Sequence, residues 1–302
     1  YLMPDMTTFA EIPWQPGNGP RGTARVICDV FTPGGEPFVG DPRGVLRRMT
    51  ERAAKLGYIV HTGPELEFFL FRRDEAGKIV PLPHDQAGYF DFSTDLAQEV
   101  RQDMVDALEA FGITVEAAHH EVAIGQHEID FRHATALECA DMLITFRYVI
   151  RSVAAQLGLH ATFMPKPIYG ENGSGMHCNM SLSAKGKNAF FEPKGEEQLS
   201  DAAFGYIAGL LEHLPAITAI ANPIVNSYKR LVPGYEAKVP GGRPPHTLLL
   251  IPPDPESEKA RPVESVMKGL PAPSPPGSRL YGAALPVGTL WLDANLPLMQ
   301  EL

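Results

Sequence analysis

The chain has 302 residues, 44% of them hydrophobic and 21% charged, which suits one large globular domain or two and is too apolar for general disorder. Its 36 acidic and 26 basic residues leave a formal net charge of -10, an argument against a nucleic-acid surface, because counterion release needs clustered Lys and Arg. Three scattered cysteines, Cys28, Cys139 and Cys178, predict a reduced, cytoplasmic setting, and with no apolar run near 18 residues and no basic leader neither a membrane span nor a signal peptide is expected.

In chain order, Tyr1-Leu2-Met3-Pro4 lacks a starting Met, which predicts a cut or processed N-terminus. TARVICDV (23–30) has strand composition. Asp41 and Pro42, followed by Val45, Leu46, Met49, Ala53 and Leu56, predict a capped amphipathic helix stopped at Gly57. GPELEFFLF (63–71) reads as a strand. A second helix, capped by Ser93 or Thr94, carries Leu96, Val100, Met104, Leu108 and Phe111 and stops at Gly112. Residues 112–132 are strand-like, with Gly125 expected to bend or bulge the chain. A third helix spans 134–157 before Gly158. HATFMPK (160–166) and GMHCNMSLS (175–183) read as strands, and a fourth helix covers about 197–214 with Leu199, Phe204, Ile207, Leu211 and Leu214 inward.

Strands and helices interleave without GxGxxG or GxxxxGK[ST], so neither dinucleotide-binding nor P-loop architecture is supported. The expected fold is α+β, a curved, mostly antiparallel sheet flanked by helices. From Ala237 onward the texture changes: 13 of the chain's 29 prolines fall in these last 66 residues. Loops, a weakly ordered tail and one short strand or helix are expected there.

Polar residues on these strands carry the functional signal. Alternation puts Glu65 and Glu67 on one face and Leu66 and Phe68 on the other. His119 and Glu121 share a face, as do His177, Asn179 and Ser181, while the phase of Glu128 past Gly125 stays open. Taken alone, Glu65 and Glu67 could be the wet side of an edge strand. Several Glu and one His together suit Mg²⁺ or Mn²⁺ better than Zn²⁺, since Cys178 points away from His177. Two neighbouring cations would explain so many carboxylates, and the residues themselves point to metal-dependent phosphoryl transfer or hydrolysis. The plainer readings make His119 and His120 strand histidines, Cys178 core, Lys229 solvated, and Phe68, Phe69 and Phe71 packing residues.

GPELEFFLF, HHEVAIGQHEIDF (119–131), NGSGMHCNMSL (172–182) and NPIVNSYKRLVPGYEA (222–237), in that order and supported by GGEPFVGDPR (34–43), resemble glutamine synthetase of the bacterial class I type over roughly residues 1–237. The resemblance implies ATP-dependent ligation of ammonia to glutamate through γ-glutamyl phosphate, with two Mg²⁺ or Mn²⁺ ions and ATP as co-substrate. It implies that Glu67, Glu121 and Glu128 hold one cation, and that Glu65 and His177 are two of three ligands of the other. It further implies that Arg230 contacts the glutamate carboxylate region, that Asn172 and Gly173 hold the glutamate backbone groups, and that Tyr89 lines the ammonium pocket. Glu236 would shield the intermediate and take a proton from ammonium. Glu116, Asn179, Ser181 and Phe131 would lie on the nucleotide side, Asn179 standing where some members carry His. The implied assembly is a dodecamer of two stacked six-membered rings.

The expected organisation is a remnant of a small N-terminal β-grasp domain (1–32), a catalytic domain (33–236) and a divergent Pro-rich segment (237–302). In the family the N-terminal domain supplies an aspartate to the neighbouring subunit's site, and residues 1–32 are expected to be only its last part. After GYEA the family continues into an arginine-rich segment with an Arg-x-Glu-x-Arg run, which carries the third ligand and phosphate-facing arginines. Here the arginines after Arg230 are Arg243, Arg261 and Arg279, outside that context, and nothing local supports Glu264 as a replacement ligand. That switch predicts a frameshifted, truncated or mis-assembled reading frame and little or no synthetase activity. A sister ligase using a larger amine and a catalytically inactive homologue are the competing readings.

Overall fold

The computed structural model describes residues 1–14, 22–89 and 95–231, together with the backbone of three short strands farther on. Strands β1 (Leu2–Glu11) and β2 (Ala24–Val30) form an antiparallel hairpin whose register shifts between Asp5 and Ala10. Helix α1 (Pro42–Lys55) starts where the sequence signals it. The Asp41 carboxylate accepts from the Arg43 and Gly44 amides, and Leu56 caps the end before Gly57 at φ +89°.

Strand β3 (Ile59–Arg73) is the spine, and β4 (Ile79–Pro83) pairs with its far end. Helix α2 (Gln98–Ala110) begins later than the Ser93 or Thr94 cap predicted; both of those residues lie outside the described ones. Ala97 occupies the N-cap without a side-chain oxygen, and Asp95 takes up the Ala97 amide instead. Strands β5 (Val115–His120) and β6 (Gln126–Phe131) make a hairpin, and β7 (Ala134–Thr135) takes the first two residues assigned by sequence to α3 (Ala136–Gln156). Then come β8 (Leu159–Thr162), β9 (Met176–Ala184) and β10 (Lys187–Asn188). Helix α4 (Asp201–Ala221), capped by Ser200, and α5 (Val225–Arg230) follow. Helix α4 runs seven residues past the predicted end, through Pro215, and is the one described helix long and apolar enough to cross a bilayer by length and composition. Its buried residues Ala203 and Ile207 pack with Leu182 and Phe190.

Strands β11 (Leu249–Ile251), β12 (Arg261–Pro262) and β13 (Leu290–Asp293) exceed the single element expected of the Pro-rich segment. The large sheet runs β12-β11-β13-β9-β3-β6-β5, with β4, β7 and β8 also on β3 and β10 on β9. It is antiparallel except where β13 pairs with β11 and β9. Leu66, Phe68 and Leu70 of β3 pack with Ile129, Met104, Leu108, Phe146 and Ile150 in the main core. Phe69 and Phe71, on the carboxylate face, are covered separately with Ala123. Over its middle, from Pro64 to Leu70, one face of β3 is thereby buried, while Glu65 and Glu67 on the other face stay half-buried.

Candidate active site

Register fixes which side chains meet. On the open face Glu65 stands opposite Asp130 of β6 and His177 of β9, and Glu67 stands opposite Glu128. His119 of β5 faces Glu128 from the next strand. Same-face partners in a ladder lie about 5 Å apart, so pairing alone brings four strands' polar residues within ligand reach.

Hydrogen bonds then orient them. His177 Nδ1 donates to Glu65 Oε2 at 2.9 Å, and Asn179 Nδ2 donates to Glu65 Oε1 at 2.8 Å. Glu67 Oε2 accepts from Gln126 Nε2 at 2.7 Å and from the Gly175 amide at 3.0 Å. Glu121 sits just past β5, its Oε2 accepting from the Val122 amide at 3.0 Å and its Oε1 3.5 Å from His119 Nδ1. His119 Nε2 lies 3.6 Å from Glu128 Oε2.

The electrostatics are those of a site with too many acids. Burial pushes the Glu128 carboxyl well up, and Asp130, Glu67 and a hydrogen-bonded Glu121 push it further. Burial raises Glu67 to about 7, with Glu121 adding to the shift while His177, the Gly175 amide and Arg230 oppose it. Burial and the Glu65 charge raise Asp130. Burial also works against Glu65, but its hydrogen bonds from His177 and Asn179 prevail and lower it. His177 is raised: burial opposes its charge, and the Glu65 bond and the Glu67 charge outweigh that.

Like-charged carboxyls this close ionise together only beside a compensating positive charge. One donor atom each from Glu65, Glu128 and His177 falls within 4.8 Å of the others, as does one each from His119, Glu128 and Asp130. An oxygen-rich set with one or two imidazoles fits a hard divalent cation of the Mg²⁺ or Mn²⁺ kind. A third group, Asp85, His120 and His127, is buried on the other side of the hairpin. There Arg101 Nη1 donates to His127 Nδ1 at 3.0 Å, which leaves the hydrogen of a neutral His127 on Nε2, a poor ligand. His120 bridges Asp85 Oδ1 and the Glu121 carbonyl at 2.9 and 2.6 Å. This group braces the turn that bears Glu121.

The other sequence candidates fall into three sets. Tyr89 borders the acids, with its ring 5.3 Å from that of His119; burial and the charges of Glu121, Glu128 and Asp130 raise its hydroxyl. Asn172 and Gly173 lie in the loop entering β9. A Cβ on Gly173 would fall 2.4 Å from the Pro165 carbonyl oxygen and 2.6 Å from Arg230 Cγ, so the Arg230 stem rests on that loop. Glu116 lies at the β5 bulge and is exposed. Phe131 and Ser181 are 3% and 0% exposed. Phe131 points into the main core against Phe146, away from the acids. The Ser181 hydroxyl has no hydrogen-bond partner among the described residues. Glu236 and Glu264 lie outside the described residues.

Asp130 and Gln126 were not singled out from sequence as site residues, although both share the β6 alternation with Glu128. Asn226 was also missed: its side chain accepts from the Lys166 amide at 2.7 Å and donates to the Lys166 carbonyl at 2.9 Å. It thereby stitches α5 to the segment that leads into the Gly173 loop.

A mostly antiparallel sheet gathers Glu65, Glu67, Glu128, Asp130 and His177 on one face, a carboxylate-rich candidate cation site. A family model described as glutamine synthetase, catalytic domain, matches residues 39–261. Curated relatives named glutamine synthetase include those of Clostridium saccharobutylicum, 54% identical over 79% of this chain and 54% of its own, and of Thermus thermophilus, 55% identical over 78% and 54%. The glutamine synthetase of Methanosarcina mazei is 52% identical over 78% of this chain and 52% of its own. The chain spans about half the length of the curated relatives it matches. Among solved structures, apo GmaS without ligand superposes with a TM-score of 0.68 at 33% identity, covering 76% of this chain and 53% of that one. A structure described as a novel glutamine synthase homolog also gives 0.68, at 29% identity and the same coverages. The chain belongs to the glutamine synthetase family, which is generally ATP- and divalent-metal-dependent.

Proposed function

We propose that the protein containing this chain ligates ammonia to L-glutamate at the expense of ATP, giving glutamine, ADP and phosphate through γ-glutamyl phosphate. The observation that carries this reading is the convergence of Glu65, Glu67, Glu128 and His177, from three strands, on one open sheet face. When bound, two divalent cations of the Mg²⁺ or Mn²⁺ kind would offset charge on the transferring phosphoryl group, one held by Glu67, Glu121 and Glu128 and the other by Glu65 and His177. Asn172 and Gly173 hold the α-carboxylate and amino groups of glutamate, and Arg230, resting on the same loop, takes its carboxylate region. Tyr89 lines the ammonium pocket. Glu236 accepts a proton from ammonium; the freed ammonia then attacks the acyl-phosphate carbon, and phosphate leaves with the C–O electron pair. Asn179 and Glu116 remain the reachable candidates on the nucleotide side, while the burial of Phe131 and Ser181 suits packing.

In this reading residues 1–32 are the edge of a small β-grasp domain, 33–236 the catalytic domain and 237–302 a divergent segment. The protein is a cytoplasmic subunit of a dodecamer. The 302-residue chain, purified, is expected to bind Mn²⁺ saturably, and Glu67→Gln or Glu128→Gln to weaken that binding by about tenfold or more. A chain with no saturable Mn²⁺ binding overturns the reading. Little γ-glutamyl hydroxamate is expected from it, since even one phosphate-facing donor is worth roughly 2–4 kcal/mol in the transition state. Robust turnover would show that the arginines of the family's later segment are dispensable.

A further inference from the structure

Gln126 is 1% exposed, and both side-chain amide hydrogens and the amide oxygen are engaged. Its Nε2 donates to Glu67 Oε2 at 2.7 Å and to the Gly173 carbonyl at 3.1 Å, while its Oε1 accepts from the Ala123 amide at 3.3 Å. Only a carboxamide can do this: both donors sit on one nitrogen, and the acceptor is held by the turn that closes the β5–β6 hairpin. That turn is itself pinned. The Glu121 amide donates to the Gln126 carbonyl at 2.8 Å, the Gln126 amide donates to the Ala123 carbonyl at 3.0 Å, and Asp85 Oδ1 accepts from the Gly125 amide at 3.1 Å. Gln126 is therefore a fixed post between two things that must be set relative to each other, the Glu67 carboxylate and the loop beneath Arg230.

We propose that Gln126 is a positioning residue that couples the cation centre to the substrate-holding loop. It does so by joining the Glu67 carboxylate to the Gly173 carbonyl through one amide nitrogen. The inference rests on the functional reading above. Both hydrogen bonds to Glu67 fall on Oε2, so Oε1 is the oxygen presented to an ion. Drawing the carboxylate toward an ion shifts Oε2, and Gln126 passes that shift to Gly173. The tight seat of Gly173 between the Pro165 carbonyl and the Arg230 stem leaves the loop little slack to absorb it. Gly175 is a parallel link, because its amide also reaches Glu67 Oε2. The two links report separately.

The test is a Mg²⁺ titration of the 302-residue chain, followed at the Gly173 carbonyl carbon and the Gly175 amide nitrogen by NMR. In the wild-type chain both resonances are expected to move with one midpoint. In Gln126→Met the Gly175 amide should still move, the Gly173 carbonyl should stay still, and the midpoint should rise by about tenfold. A purely structural role for Gln126 would alter stability and leave the two nuclei moving together. A Gly173 carbonyl that responds in Gln126→Met as in wild type overturns the inference. So does a silent Gly173 beside a responding Gly175 in the wild-type chain, a comparison that decides the matter even if the variant fails to fold. If neither nucleus responds to Mg²⁺ in the wild-type chain, the metal-centre reading fails and takes this inference with it.

Discussion

At Gly125 the backbone sits at φ +66°, and a Cβ there would fall 2.7 Å from Pro83 Cβ and 3.2 Å from Pro83 Cα. Gly57, which ends α1, has φ +89° with nothing within 4 Å of the same added atom. Both positions therefore impose left-handed strain of roughly 1–2 kcal/mol on an alanine, and only Gly125 adds overlap with its neighbours, worth about 1–3 kcal/mol more. Urea unfolding should show Gly125→Ala less stable than Gly57→Ala by about that difference; equal losses would mean that Pro83 moves aside freely. The thiols give a second residue-scale contrast. Burial raises Cys139 to about 11 and Cys178 to about 12, so neither supplies much thiolate near neutrality. At pH 8 a disulfide reagent should react with no more than one thiol in the folded chain and with all three after denaturation. Fast reaction of two or more in the folded protein would contradict the burial of these side chains.

The clearest coupling between elements is the clamp around Arg43 at the start of α1. Its guanidinium meets Asp5 of β1 at 2.7 Å, Asp29 of β2 at 2.6 Å and Asp141 of α3 at 2.8 Å, and Arg47 adds a second contact to Asp29 at 2.8 Å. One side chain thus ties the N-terminal hairpin to two helices of the larger unit. Bonds from Thr7 and Arg43 hold Asp5 down at about 2, from 3.8. Because the folded value is the lower one, its contribution to stability is complete above about pH 4 and is lost as pH falls through about 2. Hydrogen exchange in β1 and β2 should accelerate over that window before the amides of β3 do. Arg43→Ala should bring the same acceleration to neutral pH, and hairpin protection unchanged in that variant would refute the clamp. The sequence showed α1 fully because its signals, Asp41, Pro42 and Gly57, are local. It missed β1 and misplaced the start of α2 for the opposite reason. No alternation marks LMPDMTTFAE, and Asp95 is drawn to Arg101 at 2.5 Å, so Ala97 is left to cap the helix. The acids on β3 and β6 were legible as period-two positions. Gln126 drew no notice as a neutral amide, and the reach of Asp85 to the Gly125 amide, 40 residues on, is a tertiary contact that no window of sequence contains.

Across the whole molecule, the sheet that forms the scaffold also concentrates its least comfortable charges. Glu67 is raised to about 7 and Glu128 and Asp130 are raised with it, burial being the largest cause for each. A carboxyl whose folded value exceeds its unfolded one binds more protons when folded. The metal-free chain therefore loses stability as pH climbs from about 4.5 toward 7 and beyond. A divalent cation reverses that trend, because it binds the ionised carboxylates and competes with protons for the same oxygens. At about 100 times its Kd, a single cation adds roughly 2.7 kcal/mol. For a chain of this size that corresponds to a rise in Tm of about 4 °C. Thermal unfolding with Mn²⁺ and with a chelator should therefore show a gap that widens from pH 5.5 to pH 8. Glu128→Gln should narrow the gap at pH 8 while making the metal-free protein more stable, since it removes a charge that its neighbours oppose. A gap independent of pH, or a less stable metal-free Glu128→Gln, would mean that the crowded acids are balanced from within the fold and that the open face was not shaped around a cation.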